Sequence, residues 1–204
     1  MGAQTTDILW EMPALALALG YLLGSIPFGL LLTRLGGAGD LRMIGSGNIG
    51  ATNVLRTGRK GLAAATLLLD ALKGAAAVWI GERLVPGGAL LGGAGAFFGH
   101  CYPVWLRFRG GKGVATLGGI AFGIAWAIGL IYLIVWIGVL AATRYSSVGG
   151  LAAAVAAPVA AFATGRAEAG ILLLALGLIV FWKHRENVAR LRAGTEPKLG
   201  HAHG

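Results

Sequence analysis

Six long apolar runs, at residues 13–33, 61–82, 89–106, 114–142, 147–163 and 167–182, dominate this chain and leave only short polar segments between them. A bilayer core about 30 Å thick is crossed by roughly 20 apolar residues in a helix, so runs of this length and number predict an integral membrane protein. The rest of the composition agrees. Only 12% of the residues are charged and 56% are hydrophobic, against about 25% charged in ordinary soluble domains. The 36 glycines follow no G-X-Y period and sit inside the apolar runs, which excludes collagen-like and disordered chains.

The formal charge of +9 comes from 17 Lys and Arg against 8 Asp and Glu. These cations flank the apolar runs, and no basic segment long enough to fold alone remains outside them, so no nucleic-acid partner is expected. The single cysteine, Cys101, rules out an internal disulfide and a cysteine-based metal cluster. Near the start, Asp7 and Glu11 replace a basic n-region and the apolar run extends too far for a cleaved signal peptide. Met1-Gly2 with Thr6 fits a loose myristoylation pattern, but an acyl anchor adds little to a chain that already spans the membrane.

Topology turns on the fourth run, residues 114–142. It reads as one long tilted helix or as two short ones broken near Phe122-Gly123-Ile124-Ala125-Trp126, and charge parity separates the two readings. With two spans the total is seven, and the cations of all the large basic clusters fall on one side. Only Arg83 and Arg166 fall on the other side, while Lys73 lies within a span. With one span the basic C-terminal tail would lie outside, against the positive-inside rule. The expected architecture is therefore all-α: a compact bundle of seven transmembrane helices, N-terminus outside and C-terminus cytoplasmic, forming a single membrane-embedded domain over residues 1–204. Gly-rich and Ala-rich spans allow the close helix approach such a bundle needs.

Three polar clusters gather on the predicted cytoplasmic side. The first, Gly45-Ser46-Gly47-Asn48-Ile49-Gly50-Ala51-Thr52-Asn53-Val54-Leu55-Arg56, combines turn-forming glycines, the neutral hydrogen-bonding groups of Ser46, Asn48, Thr52 and Asn53, and an Arg56 fork suited to phosphate. The second, Arg109-Gly110-Gly111-Lys112-Gly113-Val114-Ala115-Thr116, places glycine backbone around a lysine, a small phosphate cradle. It is no Walker A loop, because the spacing fails and Gly113 stands where Ser or Thr is required. The third, Lys183-His184-Arg185-Glu186-Asn187-Val188-Ala189-Arg190-Leu191-Arg192 followed by Gly194-Thr195-Glu196, sets His184 and Asn187 on one helical face and leaves Glu186 and Arg190 able to pair at i,i+4. Each cluster also reads as an ordinary polar turn or a basic stop-transfer tail. His201 and His203 are too few for a metal site, and no metal or other cofactor is expected. Asp70 and Lys73, at i,i+3 inside the second run, must pair or reach polar groups. A mutual structural bridge and a functional role both satisfy that requirement.

Taken in order, Gly-Ser-Gly-Asn-x-Gly-Ala-Thr-Asn-x-x-Arg, Gly-Gly-Lys-Gly-Val-Ala-Thr and Lys-His-Arg-x-Asn-x-x-Arg-Leu resemble the bacterial acyl-phosphate:glycerol-3-phosphate acyltransferases, the PlsY family, over nearly the whole chain. Asp70-Ala71-Leu72-Lys73-Gly74 and Gly194-Thr195-Glu196 look like further family elements. The resemblance implies a seven-helix enzyme of the bacterial inner membrane, its active site facing the cytoplasm. It would transfer a fatty acyl group from acyl phosphate, not acyl-CoA, to the 1-hydroxyl of glycerol 3-phosphate, giving lysophosphatidate and inorganic phosphate, the first acylation of phospholipid synthesis. Membrane lipid surrounds such an enzyme, and an acyl-phosphate-producing enzyme would supply it. By residue, the resemblance assigns Gly110, Gly111, Lys112 and Gly113 to the glycerol 3-phosphate phosphate. Ser46, Arg56 and Lys112 take catalytic or phosphate-binding roles, His184 and Asn187 complete the site, and Asn48, Thr52 and Asn53 stand behind them. Asp70, Lys73 and Glu196 read as supporting residues, Glu196 as an anchor for a nearby cation.

The chain's own chemistry fits two phosphorylated substrates. No His has an Asp at the H-x-x-x-x-D offset typical of acyl-CoA-dependent glycerolipid enzymes, and no Ser-His-Asp pattern occurs. Protein bases are few, so the phosphate of acyl phosphate is expected to help deprotonate the attacking hydroxyl, with His184 either a base or a hydrogen-bond donor. A transporter of organic phosphates is the rival reading, favoured by Asp70 and Lys73 within a span. It lacks the paired repeats transporters commonly show. A purely structural or lipid-binding role leaves the three polar clusters unexplained.

Overall fold

The computed structural model describes residues 3–200, with side chains from Glu11 onward. Met1 and Gly2 of the acylation pattern and the tail residues His201 and His203 lie outside it. Every regular element among the described residues is helical. Contacts group them into two units, one up to Ile124 and one from Ala125 onward.

The first unit opens with α1 (Ala3–Gly24) and α2 (Phe28–Leu35), which together make a 25-residue apolar stretch over Glu11–Leu35. The first apolar run is thus two helices, parted at Ser25-Ile26-Pro27 because proline lacks the amide that would continue the ladder. Backbone carbonyls freed in an apolar setting need donors. Two side chains supply them: Trp105 Nε1 donates to Ser25 O at 2.8 Å, and Lys73 Nζ donates to Ile26 O at 2.8 Å. A loop over residues 36–50, with a 3-10 turn at Leu41–Met43, and the one-turn α3 (Ala51–Leu55) lead into the long α4 (Lys60–Leu84). The chain then turns into α5 (Gly88–Cys101) and, after a loop, α6 (Val114–Ile124).

Small residues set the packing in this unit. Gly24 lies against the backbone of Ala96, and Gly119 against that of Ala71, so closely that a Cβ at either position would overlap a carbonyl oxygen. Such seams bring α1 against α5 and α4 against both α5 and α6, by backbone approach where lipid removes any hydrophobic drive.

The second unit runs α7 (Trp126–Thr143), α8 (Ser146–Ala163), α9 (Ala167–Lys183) and α10 (Arg185–Arg192). The Ala-rich face of α8 (Ala153, Ala154, Ala157, Ala161) is buried, as are Leu173, Leu176 and Val180 of α9, which packs on α8. Large apolar side chains face outward instead. Trp126 is 74% exposed, Leu178 64% and Ile134 60%, an arrangement suited to lipid and not to water.

The fourth apolar run breaks at Ala125, whose extended backbone (φ −160°, ψ 132°) separates α6 from α7. Four helices or joined helices are long and apolar enough to cross a membrane, and a fifth if α9 and α10, bent by 56°, count as one. α5 and α6, at 14 and 11 residues, reach only about 21 and 17 Å at 1.5 Å per residue. The chain is an all-helical integral membrane protein with four to five candidate spans by length and composition.

Candidate active site

The first polar cluster is held by one buried amide. Asn53, 2% exposed, donates from Nδ2 to the carbonyls of Leu41, Ile44 and Asn48 at 3.1, 2.9 and 2.8 Å. Its Oδ1 accepts from Ser46 N at 3.2 Å and faces Arg56 NH1 at 3.4 Å. Asn53 is therefore the staple of the loop, with its amide wholly engaged. It brings Ser46 and Arg56 to the same oxygen. Beneath it Leu30, Leu41, Val54 and Ala63 form a small apolar core, so the loop rests on packed side chains.

Gly45 is required here twice over. Its φ is +54°, and a Cβ would meet Asn53 Oδ1 at 2.6 Å and Arg56 Cδ at 2.8 Å, because the arginine side chain crosses its Cα. The Ser46 hydroxyl is exposed and makes no hydrogen bond among the described residues. Arg56 is exposed, with one of its five N–H donors near Asn53. Two other arginines nearby are already committed: Arg42 and Arg34 reach Asp40 Oδ2 at 2.6 and 2.9 Å. Hydrogen bonds from Arg42 and then Arg34 hold the Asp40 carboxyl well below the usual carboxylate range. Arg56 is the cation that Asn53 holds next to Ser46 in this loop. Asn48 Oδ1 accepts from Gly50 N at 3.0 Å, a local turn just before α3, and Thr52 lies exposed on that helix.

The second loop is pinned to the end of α5. Gly110 N donates to Cys101 O at 3.1 Å and Gly111 N to His100 O at 3.0 Å. Two of the amides in the glycine cradle are thus engaged within the protein, which narrows the cradle to the Lys112–Gly113 end. Arg107 and Phe108, both at positive φ (52° and 61°), make the tight bend that returns the chain to this position. Gly113 (φ 85°) packs on the Phe97 ring, and its carbonyl accepts the Leu117 amide at 2.7 Å, starting α6. Lys112 is half-buried.

Behind this loop the Asp70–Lys73 pair expected from the sequence is joined by His100, which the sequence reading did not single out. Asp70 and Lys73 pair within α4 at 2.7 Å, each side chain 3% exposed or less. His100 of α5, equally buried, brings Nδ1 to 3.7 Å from the same Asp70 oxygen. Lys73 also lies 5.6 Å from the Phe28 ring centroid. The signal for His100 was present as a lone polar ring inside an apolar run, in a chain whose intramembrane charges needed company.

In the second unit the chain bends at His184, between α9 and α10. Its Nδ1 lies 2.8 Å from Val180 O. A carbonyl only accepts, so Nδ1 carries the proton and the lone pair of the neutral ring is on Nε2. Asn187 Nδ2 donates to Glu196 Oε1 at 2.6 Å, Ser147 Oγ to the same oxygen at 2.7 Å, and Arg190 Nε to Oε2 at 2.8 Å. The expected Glu186–Arg190 pair gives way to Arg190–Glu196, because a buried carboxylate demands charged partners more strongly than one in solvent. Burial alone would raise the Glu196 carboxyl. The hydrogen bonds from Asn187, Ser147 and Arg190 outweigh it and hold the group below its ordinary value. The same tail is strapped further along, with Leu199 N on Arg144 O at 2.8 Å and Lys198 5.5 Å from the Tyr145 ring centroid.

An arginine fork and a glycine-flanked lysine are groups able to bind phosphate. The model of the family described as glycerol-3-phosphate acyltransferase matches residues 14–194. The glycerol-3-phosphate acyltransferase of Mesorhizobium japonicum is 59% identical over 91% of this chain and 95% of its own length. That of Erythrobacter litoralis is 55% identical over 92% and 95%. The crystal structure of PlsY, an integral membrane glycerol 3-phosphate acyltransferase, in its glycerol 3-phosphate form superposes with a TM-score of 0.87 at 35% identity, covering 92% of this chain and 96% of that one. Its lysophosphatidic acid form gives a TM-score of 0.85 at 33% identity, over 92% and 95%. With a family model covering both units and relatives this similar over nearly full length, the chain belongs to the glycerol-3-phosphate acyltransferase family.

Proposed function

We propose that this chain transfers a fatty acyl group from acyl phosphate to the 1-hydroxyl of glycerol 3-phosphate, forming lysophosphatidate and inorganic phosphate. The observation that carries the reading is the family match over residues 14–194, with PlsY structures alike in fold whose two forms hold glycerol 3-phosphate and lysophosphatidic acid. The family model runs through both contact units, which supports a single acyltransferase domain.

In the reaction the hydroxyl oxygen of glycerol 3-phosphate attacks the acyl carbon, a new ester C–O bond forms, and the acyl C–O bond to phosphate breaks. The leaving phosphate carries away the electron pair, and the hydroxyl proton passes to a phosphate oxygen. Lys112 and the Gly110–Gly113 turn bind the phosphate of glycerol 3-phosphate. Arg56 and Ser46, joined through Asn53, bind and orient the phosphate that departs, stabilising charge as it develops. The assignment of His184 and Asn187 to this reaction rests on the motif resemblance. His184 offers Nε2 as base or hydrogen-bonding group. Asn187 acts from the position that its bond to Glu196 sets.

For topology we propose seven spans, with α5 and α6 as short crossing helices, and with the basic loops and the active site on the cytoplasmic side of the bacterial inner membrane. The placement of Lys and Arg supports this. Helices this short require local thinning of the bilayer or snorkelling of their flanking residues, at modest cost.

The donor separates this reading from its rivals. Purified protein in lipid, given glycerol 3-phosphate with acyl phosphate or with acyl-CoA, is expected to form lysophosphatidate from acyl phosphate alone. Product from acyl-CoA alone would overturn the donor assignment. Flux of glycerol 3-phosphate through liposomes without acyl transfer would instead promote the transporter reading.

A further inference from the structure

We propose that His100 is a positioning residue for the glycerol 3-phosphate loop, setting Gly111 and hence Lys112 from a buried charged base on α4. The inference rests on the proposed role of the Gly110–Gly113 turn. Three observations carry it. The His100 ring is 4% exposed and sits with Nδ1 3.7 Å from Asp70 Oδ1, an oxygen that Lys73 holds at 2.7 Å. The opposite edge of the ring lies on Gly111, where an added Cβ would overlap Nε2 and come within 3.0 Å of Cδ2. The backbone of the same residue takes the Gly111 amide at 3.0 Å.

Gly111 is thus gripped by one residue from two directions, by ring and by carbonyl. Its neighbour Gly110 is held likewise against His100 O and the Cys101 carbonyl. Lys112 follows directly in the chain, so the height and direction of its backbone depend on where the ring stands. An ion pair buried in a membrane span is costly and contributes little to net stability. Its use here is geometric. Lys73 is fixed by Ile26 O and fixes Asp70, Asp70 faces the imidazole, and the imidazole forms the floor of the turn.

The test measures kcat and the KM for each substrate in the purified enzyme, for Lys112→Ala, Gly111→Ala, His100→Ala, His100→Asn and the double variant Gly111→Ala/His100→Ala. Both Gly111→Ala and His100→Ala are expected to raise the KM for glycerol 3-phosphate roughly tenfold, while the KM for acyl phosphate stays within about twofold. The double variant is expected to match His100→Ala and not the product of the two single effects, because both act through one contact. His100→Asn keeps an amide toward Asp70 and should recover part of the loss.

Multiplying effects in the double variant would overturn the proposal, as would a uniform fall in kcat with both KM values unmoved. If His100→Ala does not fold, Gly111→Ala decides alone, since a native KM there means the ring does not set the loop. Lys112→Ala keeps the two levels apart. A raised KM for glycerol 3-phosphate in that variant beside native values in the His100 variants removes only the positioning role. A native KM in Lys112→Ala removes the loop assignment and the inference together.

Discussion

Arg56→Ala is expected to lower kcat/KM by roughly 100- to 1,000-fold, the usual cost of losing a preorganised donor to developing charge. The expectation follows from what surrounds the residue. Arg34 and Arg42 are tied to Asp40, whereas Asn53 holds Arg56 beside Ser46. Arg56→Lys should restore only part of the rate, because an ammonium keeps the charge and loses the planar fork. Asn53→Ala should move activity in the same direction while also loosening the loop, since four of its hydrogen bonds run to backbone. Steady-state kinetics on variants whose thermal unfolding matches the parent checks the Arg56 claim. Activity in Arg56→Ala within threefold of the parent would remove the residue from the chemistry.

The second large effect is on stability. Glu196→Ala leaves Ser147, Asn187 and Arg190 without their common acceptor and is expected to cost roughly 2–4 kcal/mol in equilibrium unfolding in mixed micelles. Asn187→Asp should be nearly as harmful, because it sets a second carboxylate where Glu196 Oε1 now accepts a hydrogen bond at 2.6 Å. The pH dependence has a definite sign. The native Glu196 carboxyl lies below its ordinary value of 4.5, so its contribution is complete above that value and is lost as the pH falls through the lower native one. The parent should therefore lose stability on acidification below about pH 4.5, and Glu196→Gln should flatten that part of the profile. An unchanged unfolding free energy in Glu196→Ala would show that the tail is not anchored through this carboxylate.

Much of this was legible in the sequence because it depends on local pattern. The break in the fourth run falls at Ala125, within the Phe122–Trp126 stretch where charge parity places it. Asp70 and Lys73 stand at the spacing that lets them meet, and they do. What the sequence hid was tertiary. The division of the first run at Pro27 depends on distant donors, Lys73 and Trp105, taking the freed carbonyls. Those side chains belong to other elements and carry no local mark. The glycine cradle reads as open amides, yet two of them close onto the end of α5, a partner set by the fold of the intervening loop. Arg190 chooses Glu196 over Glu186 because burial, invisible in a helical wheel, decides which carboxylate needs it. In the sequence Asn53 is one of several loop amides. Its burial makes it the residue that joins Ser46 to Arg56.

The most direct test of the acyl-transfer account is the stoichiometry of one time course. Purified enzyme in lipid with acyl phosphate and glycerol 3-phosphate is followed for inorganic phosphate and lysophosphatidate together. The two products are expected to rise in equal amounts and only when both substrates are present. Phosphate released without lysophosphatidate, or lysophosphatidate formed without phosphate, would contradict it.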